Sequence, residues 1–276
     1  MKKFFVTIAC ILFLSVFSFS QHQLVKKWET DSLMKVPESV LYDAGGKVLY
    51  VSNIDGKEPW GKDGAGSIGK VGLDGKIIAV EWVTGLNAPK GMGLYKDKLY
   101  VADLDNVVVI DVKKGAIAEK IAIDGAQGLN DVTIDKAGVV YVSDSRGKKV
   151  FRIENGKAAL YLENLQGPNG VLVDGNNFFV LDAGGLYQVG ADKSLTKITD
   201  GMEGGTDGIE HVTGKDYIVS CWAGSIWYVK GDGTKEHLLD TREQKINTAD
   251  IGYDAKNRVV YVPTFWKNSV VAYELK

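Results

Sequence analysis

Short apolar runs alternate with polar turns from residue 21 to the C-terminus, and one pair of runs recurs six times. The first members of the pairs are ESVLYD, KGMGLY, NDVTID, NGVLVD, DGIEHV and ADIGYD, which begin at residues 38, 90, 130, 169, 207 and 249. Each is followed by a second apolar run such as LYVSN, VYVSD or FFVLD. A repeat of about 40 residues built from short strands is typical of a β-propeller with one four-stranded blade per repeat. The pattern therefore predicts an all-β fold, a six-bladed β-propeller.

The two ends of the chain complement each other. The sixth repeat has room for only three strands, whereas the segment at about residues 23–30 resembles a lone strand outside any repeat. We expect this N-terminal strand to complete the last blade, because a closed ring has no exposed sheet edge. The alternative is a loose leader. Since no linker separates the repeats, residues 21–276 are predicted to form a single propeller domain.

The turns support an all-β fold. Asp74-Gly75 and Asn155-Gly156 supply the positive φ angles that two-residue hairpins need, and no long stretch after residue 20 has helical periodicity. The first repeat is longer than the others because residues 56–66 (GKEPWGKDGAG) are inserted after its second strand. We expect this insertion, with Trp60 at its centre, to be a surface loop at one mouth of the ring.

Residues 1–20 are unlike the rest of the chain. Lys2 and Lys3 precede an apolar run over residues 4–19, and small residues follow at Ser18 and Ser20. This arrangement predicts a secretory signal peptide, and therefore an exported protein, periplasmic or extracellular, without membrane attachment after cleavage. The alternative is an uncleaved anchor helix.

Charge and cysteine content narrow the choice of partners. Without the leader the chain has 31 basic and 35 acidic residues, a net charge of −4. No strongly basic face is implied, so nucleic acid is not an expected partner. Only Cys221 remains, so we expect no internal disulfide and a stability that depends on the core. The sequence does not define an oligomeric state; we expect a monomer that acts on a small molecule.

The residue that opens each repeat is where we expect the chemistry. The innermost strand of every propeller blade lines the central channel, so Glu38, Asn130, Asn169 and Asp207 should converge around the axis. Two carboxylates and two amides form an all-oxygen ligand set that suits Ca²⁺, with Mg²⁺ or Mn²⁺ as other hard cations. The alternative is that each side chain only caps a local turn, as Asp and Asn commonly do.

The openings PESVLYD, LNDVTID, PNGVLVD and TDGIEHV, in this order, resemble those of the SMP-30/gluconolactonase/LRE-like family over essentially the whole mature chain. Members of that family are six-bladed propellers and include lactonases and diisopropylfluorophosphatase-like hydrolases. The resemblance implies that Glu38, Asn130, Asn169 and Asp207 hold a catalytic divalent ion, usually Ca²⁺. It also implies that Asp207 acts as a general base on water or as the direct nucleophile.

Two positions depart from the family pattern. Gly128 stands where sugar-lactonase members often carry an arginine that helps to hold the sugar, which puts a gluconolactone-like substrate in doubt. Lys90 occupies the ring position of the second blade. We expect Lys90 to balance charge there; the alternative is that its ammonium contacts the substrate and stabilises an oxyanion.

Further side chains are expected near the same opening. Asp131 follows Asn130 directly, and we expect it to orient that amide from behind. Asp103 and Asp144 end second strands and are candidate substrate contacts, the alternative being turn residues. Trp222 is another candidate substrate contact, in an apolar wall predicted to contain Trp60, Trp222, Phe265 and Trp266.

One histidine lies on a predicted inner strand. We expect His211 to be buried and hydrogen-bonded. The alternative is that it lines the channel and forms a second ion site with Glu210.

These observations favour an exported, Ca²⁺-dependent hydrolase of a lactone, ester or phosphoester. The alternative is a non-catalytic propeller that binds a partner and whose axial ion is structural, since one fold serves both functions. A strictosidine-synthase-like propeller is a third possibility, which Asn169 and Asp207 fit less well.

Overall fold

A computed structural model describes residues 21–56 and 58–276 and has the predicted architecture, six four-stranded antiparallel sheets around one axis. The predicted signal peptide lies outside the described residues. The N-terminal strand is β1 (Leu24–Glu29). Blade 1 contains β2 (Pro37–Asp43), β3 (Val48–Asn53), β4 (Gly66–Gly72) and β5 (Ile77–Leu86). Blade 2 contains β6 (Pro89–Tyr95), β7 (Lys98–Asp103), β8 (Asn106–Asp111) and β9 (Ala116–Ala122).

The remaining blades repeat this arrangement. Blade 3 contains β10 (Leu129–Ile134), β11 (Val140–Asp144), β12 (Lys149–Glu154) and β13 (Lys157–Leu162). Blade 4 contains β14 (Pro168–Asp174), β15 (Asn177–Asp182), β16 (Gly185–Val189) and β17 (Leu195–Thr199). Blade 5 contains β18 (Thr206–Thr213), β19 (Asp216–Cys221), β20 (Ser225–Val229) and β21 (Lys235–Asp240). Blade 6 contains β22 (Gly252–Asp254), β23 (Val259–Pro263) and β24 (Val270–Leu275). A short 3₁₀ turn, Phe265–Lys267, separates the last two strands.

The N-terminal strand closes the ring, as the sequence predicts. Strand β1 pairs with β24 as the outermost strand of blade 6, so the last blade is built from both ends of the chain. The Trp28 indole reaches beyond this sheet and donates a hydrogen bond from Nε1 to the Leu73 carbonyl of blade 1 at 3.0 Å. Closure thus joins blade 6 to blade 1 through both backbone pairing and side-chain packing.

The core consists of layers between neighbouring blades. Tyr50 and Ile68 of blade 1 pack with Leu99 and Val108 of blade 2 in one buried cluster, and equivalent clusters join the other blades. Second strands such as β3 are buried along their whole length, because both faces of the sheet are covered. Outer strands such as β13 are mostly exposed. The core therefore holds the inner strands rigidly around the channel.

A β-bulge interrupts the innermost strand of five blades at the ring position. In blade 4, for example, the pairing with β15 shifts between Pro168 and Val171, on either side of Asn169. A bulge frees residues from the ladder and re-aims their side chains, which explains why ring residues face the channel mouth. The next position is glycine in three blades and serine or aspartate in the other three: Ser39, Gly91, Asp131, Gly170, Gly208 and Asp250.

Close approach of the inner strands explains the glycines at this position. A Cβ atom on Gly170 would lie 2.3 Å from the carbonyl oxygen of Asp207 on the neighbouring blade, far inside contact distance. Around this position the inner strands of blades 4 and 5 touch backbone to backbone.

Within the described residues, no helix is long and apolar enough to cross a membrane.

Candidate functional site

The polar residues predicted for the ring line one cavity of about 240 Å³ at the channel mouth. Its polar side chains are Glu38, Lys90, Asn130, Asn169 and Asp207, and the remaining lining residues are Pro59, Trp60, Gly205, Trp222 and Phe265. The sixth ring position, Ala249, is buried in a small apolar cluster with Phe265. The structure therefore brings the four proposed metal ligands together, although their metal binding stays a prediction.

The two amides are held by different partners. Asn169 donates from Nδ2 to Asp207 Oδ1 at 2.9 Å, whereas Asn130 donates from Nδ2 to Ser145 Oγ at 3.0 Å. Ser145 in turn donates to the Pro168 carbonyl at 2.6 Å, which fixes the hydroxyl as an acceptor for Asn130. In both cases the amide nitrogen is engaged, so the amide oxygen is the atom left for another group.

Two acceptor atoms of the site are buried without a hydrogen-bond partner among the described residues, Glu38 Oε2 and Asn169 Oδ1. Buried polar atoms are almost always paired, so two orphans in one cavity indicate a missing cationic or protic partner. No three His, Cys, Asp or Glu side chains cluster for metal binding in the described part of the chain. A metal here would depend on the two amides beside the two carboxylates, a mixed oxygen set that Ca²⁺ accepts.

Lys90 lies inside the site. Its side chain is almost fully buried, and its Nζ is 3.8 Å from Glu38 Oε1. The same ammonium donates to the Pro59 carbonyl at 3.0 Å and is 4.3 Å from the centre of the Trp60 ring. This geometry fits the expected charge-balancing role and shows how the inserted loop is attached to the ring.

Burial dominates the electrostatics of the cavity. Desolvation raises the pKa of Glu38 to about 7, against the lowering effect of Lys90. Desolvation and the charge of Glu38 raise the pKa of Asp207 well above its usual value. Burial also lowers the pKa of Lys90. All three pKa shifts have one cause, since burial away from water disfavours the charged form of each group. A bound divalent cation would favour the charged carboxylates and so lower the pKa values of Glu38 and Asp207.

Asp131 does not have the predicted role. Its carboxylate accepts hydrogen bonds from the backbone N–H of Val132 at 2.6 Å and of Val171 at 2.7 Å, so it ties blade 3 to blade 4. Ser145, which sequence reasoning missed, is the partner of Asn130. The prediction was wrong because the bulge at Asn130 and Asp131 turns neighbouring side chains towards different surroundings.

The prediction that Asp103 and Asp144 contact the substrate was wrong. Both are fully buried, at 1% and 0% exposure. Asp103 accepts from the N–H groups of Asn87 and Ala88, and Asp144 accepts from three further backbone N–H groups, those of Gln127, Gly128 and Gly147. Each carboxylate therefore holds the segment that leads into the inner strand of its own blade. This is the structural role of a turn residue, the alternative given for both positions.

The predicted aromatic wall is present in part. Trp60, Trp222 and Phe265 line the cavity, whereas Trp266 lies outside it and is 49% exposed. The inserted loop therefore does reach the mouth of the ring. Trp222 stays a candidate substrate contact.

A second cavity of about 200 Å³ lies further along the channel. Its polar lining includes Asp131, Asp250 and Glu210. Asp131 and Asp250 have hydrogen-bond partners in the framework, such as Ser39 Oγ, which donates to Asp250 at 2.6 Å.

His211 is partly exposed and its Nε2 lies 3.3 Å from the Gly214 carbonyl. His211 is therefore hydrogen-bonded, as expected, but partly exposed where burial was expected, and it is not among the residues that line this second cavity.

Comparisons of the sequence with protein-family models and with curated proteins find no match. Solved structures do match in shape. A structure of streptogramin B lyase is 12% identical with a TM-score of 0.67, over 93% of this chain and 98% of that chain. A catalytically inactive virginiamycin B lyase from Staphylococcus aureus with quinupristin is 12% identical with a TM-score of 0.64, over 93% and 99%. A chain of a nidogen/laminin complex is 17% identical with a TM-score of 0.66, over 79% and 84%.

Likeness at this level of identity supports the fold alone. Fold and site together define a six-bladed β-propeller with a polar cavity at one mouth of its axis. The neighbours include lyases and a nidogen/laminin complex, so the propeller itself does not select a function.

Proposed function

We propose that this protein is an exported, divalent-metal-dependent hydrolase that cleaves a lactone, ester or phosphoester of a small molecule. The observation that carries the proposal is the pair of unpaired, buried acceptors, Glu38 Oε2 and Asn169 Oδ1, in a cavity that also contains Asp207. The resemblance of the repeat openings to the SMP-30/gluconolactonase/LRE-like family supports the same function.

The proposed ligands are Glu38, Asn130, Asn169 and Asp207, and Ca²⁺ is the preferred ion, with Mg²⁺ or Mn²⁺ as alternatives. When bound, the ion would act as a Lewis acid on the carbonyl or phosphoryl oxygen of the substrate. Asp207 would take the proton of an attacking water or attack directly. Asn169 positions this carboxylate through its hydrogen bond at 2.9 Å. Lys90 offsets the charge of Glu38, and the aromatic wall lies beside these groups.

A second candidate is a non-catalytic propeller that binds a small molecule or a protein and uses the axial ion only for stability. Lys90 favours this candidate, because its ammonium already neutralises part of the ring charge and blocks space beside Glu38. In that case Ca²⁺ would stabilise the fold without supporting any reaction.

An assay of lactones, aryl esters and phosphotriesters with Ca²⁺ and with EDTA separates the two candidates. The hydrolase predicts Ca²⁺-dependent turnover that is lost in Glu38→Gln and Asp207→Asn and retained in Asp124→Asn, which alters an exposed carboxylate outside the cavity. A Ca²⁺-dependent rise in melting temperature without turnover of any substrate would favour the binding module. Equal Ca²⁺ binding by all variants would show that the ligand set is wrong.

A further inference from the structure

The cavity has two unlike sides. Glu38, Lys90, Asn130, Asn169 and Asp207 form a polar side, and aromatic rings form the other. The rings belong to Trp60, Trp222 and Phe265. Trp222 is 40% exposed, so a large apolar surface stays in contact with water next to the polar ring. An apolar wall beside a few convergent polar groups is the usual construction of a small-molecule site.

Trp60 is fixed in the wall by several contacts. Gly128 lies directly behind it, since a Cβ atom there would be 2.8 Å from Trp60 Cζ3. Lys90 stacks its ammonium on the same ring at 4.3 Å and binds the preceding Pro59 carbonyl. The indole can therefore pack against Gly128 only because position 128 has no side chain. A wall that is already in place costs little ordering when a ligand binds.

Phe265 is held in an unusual backbone conformation. Its φ of 50° lies in the left-handed region, which is rare for a bulky residue and marks a position where the surroundings impose the conformation. The ring packs in a cluster with Ala249, the one apolar ring residue, and meets Trp222 edge-on with centroids 5.4 Å apart. Phe265 and Trp222 thus lie in the sector of the ring where a polar residue is missing.

The aromatic side of the cavity offers few hydrogen-bond partners for a sugar. None of the described lining residues carries a hydroxyl group, and the carboxylate, amide and ammonium side chains lie on the polar side, as proposed metal ligands or the lysine paired with one. Hydroxyl groups of a substrate that face the indole and phenyl rings would be buried there without hydrogen bonds, and that burial is costly.

We propose that the site selects substrates in which a planar apolar ring adjoins the carbonyl or phosphoryl group, with the ring stacked on Trp222 in the cavity that Trp60 also lines. The substrate class is aryl or aryl-fused esters and lactones, as opposed to sugar lactones. This inference rests on the proposed function for the reaction, but the ring-binding site itself requires neither metal nor turnover.

The test uses three neutral probes that the protein cannot hydrolyse: acetophenone, cyclohexyl methyl ketone and glucose. Acetophenone and cyclohexyl methyl ketone share a carbonyl beside a six-membered ring, which is planar only in acetophenone. Binding is followed through the indole N–H signals of the six tryptophans in the ¹⁵N-labelled protein. The Trp60 and Trp222 signals should shift together with acetophenone, whereas the Trp266 signal should not.

Substitutions at the tryptophans measure how much each indole contributes to acetophenone affinity. Trp222→Ala should weaken acetophenone binding about tenfold, from the lost stacking and burial, and Trp222→Phe should restore most of it. Trp266→Ala is the matched control, because Trp266 is a neighbouring exposed indole outside the cavity, and should leave the affinity unchanged. Cyclohexyl methyl ketone should bind at least several-fold more weakly than acetophenone, although it is the more hydrophobic probe.

Glucose binding as tight as acetophenone binding, or no weakening in Trp222→Ala, would overturn the inference. Turnover of sugar lactones without acetophenone binding would do the same and leave the proposed hydrolase standing. Conversely, Trp222-dependent acetophenone binding without turnover of any ester would remove the hydrolase and retain the ring-binding site.

Discussion

The contact between blades 4 and 5 at Gly170 makes a sharp prediction about stability. Gly170→Ala places a Cβ atom 2.3 Å from the Asp207 carbonyl oxygen and 2.8 Å from Leu181 Cδ1. The carbonyl belongs to the backbone and cannot rotate away, so β14 and β18 must separate by about 1 Å to reach ordinary contact, a form of overpacking. Since these strands carry Asn169 and Asp207, the same movement also disturbs the candidate site.

The expected cost follows from two opposing effects. Overpacking of a rigid interior costs about 1–3 kcal/mol. Replacement of glycine by alanine recovers about 0.4–1 kcal/mol by restricting the unfolded chain. We expect Gly170→Ala to lose about 1–2 kcal/mol of unfolding free energy, or about 2–8 °C in melting temperature for a chain of this size.

Urea unfolding followed by tryptophan fluorescence measures this loss. The matched control is Gly167→Ala, a glycine of the same blade whose added Cβ atom would meet no heavy atom within 4 Å. The control should be neutral or slightly stabilising. If Gly170→Ala and Gly167→Ala unfold at the same urea concentration, the inner strands can move apart freely and the description of a rigid axial contact is incorrect.

Three further predictions concern titratable side chains. Burial raises the pKa of Glu210 from its usual 4.5 to about 8, so between these values the folded protein keeps a proton that the unfolded chain releases. The free energy of unfolding should therefore fall as pH rises through this window, by at most about 1.4 kcal/mol per pH unit from this group, and Glu210→Gln should flatten urea-unfolding profiles between pH 5 and pH 8. Lys90→Met should tighten Ca²⁺ binding at least about tenfold in calorimetric titrations, because it removes a positive charge 3.8 Å from Glu38; an unchanged affinity would place the ion elsewhere. Cys221 is fully buried and burial raises its pKa to about 12, so a thiol reagent should label it only after unfolding; rapid labelling of the folded protein would contradict the structure of blade 5.

The architecture could be predicted from the sequence because a propeller repeats its chemistry as well as its shape. Each repeat must bury two apolar strands against its neighbours, and this requirement recurs in runs such as LYVAD and VYVSD. Closure by β1 could be predicted because the sixth repeat lacks one strand and residues 23–30 supply it. The meeting of Glu38 with Asp207 in one cavity followed from symmetry alone.

The errors concern side chains whose role depends on a local partner. Asp103 and Asp144 end their strands in the same manner as a ligand-binding residue would, and only their bonds to backbone N–H groups identify them as structural. Asp131 and Asn130 are adjacent, yet the bulge gives them unrelated partners. Ser145 carried no signal in the sequence, because a serine after a strand end is ordinary.

The sequence by itself determined the number of blades, the closure of the ring and the set of polar residues at its axis, since all three follow from periodicity. Only the tertiary structure decided which of those residues remain free to bind. Lys90 meets Glu38, Asn130 meets Ser145 and Trp60 rests on Gly128. Lys90 and Trp60 meet residues of other blades, and all three contacts depend on ångström distances that periodicity does not specify. Periodicity fixes the angle of a residue around the axis, but packing decides what its side chain touches.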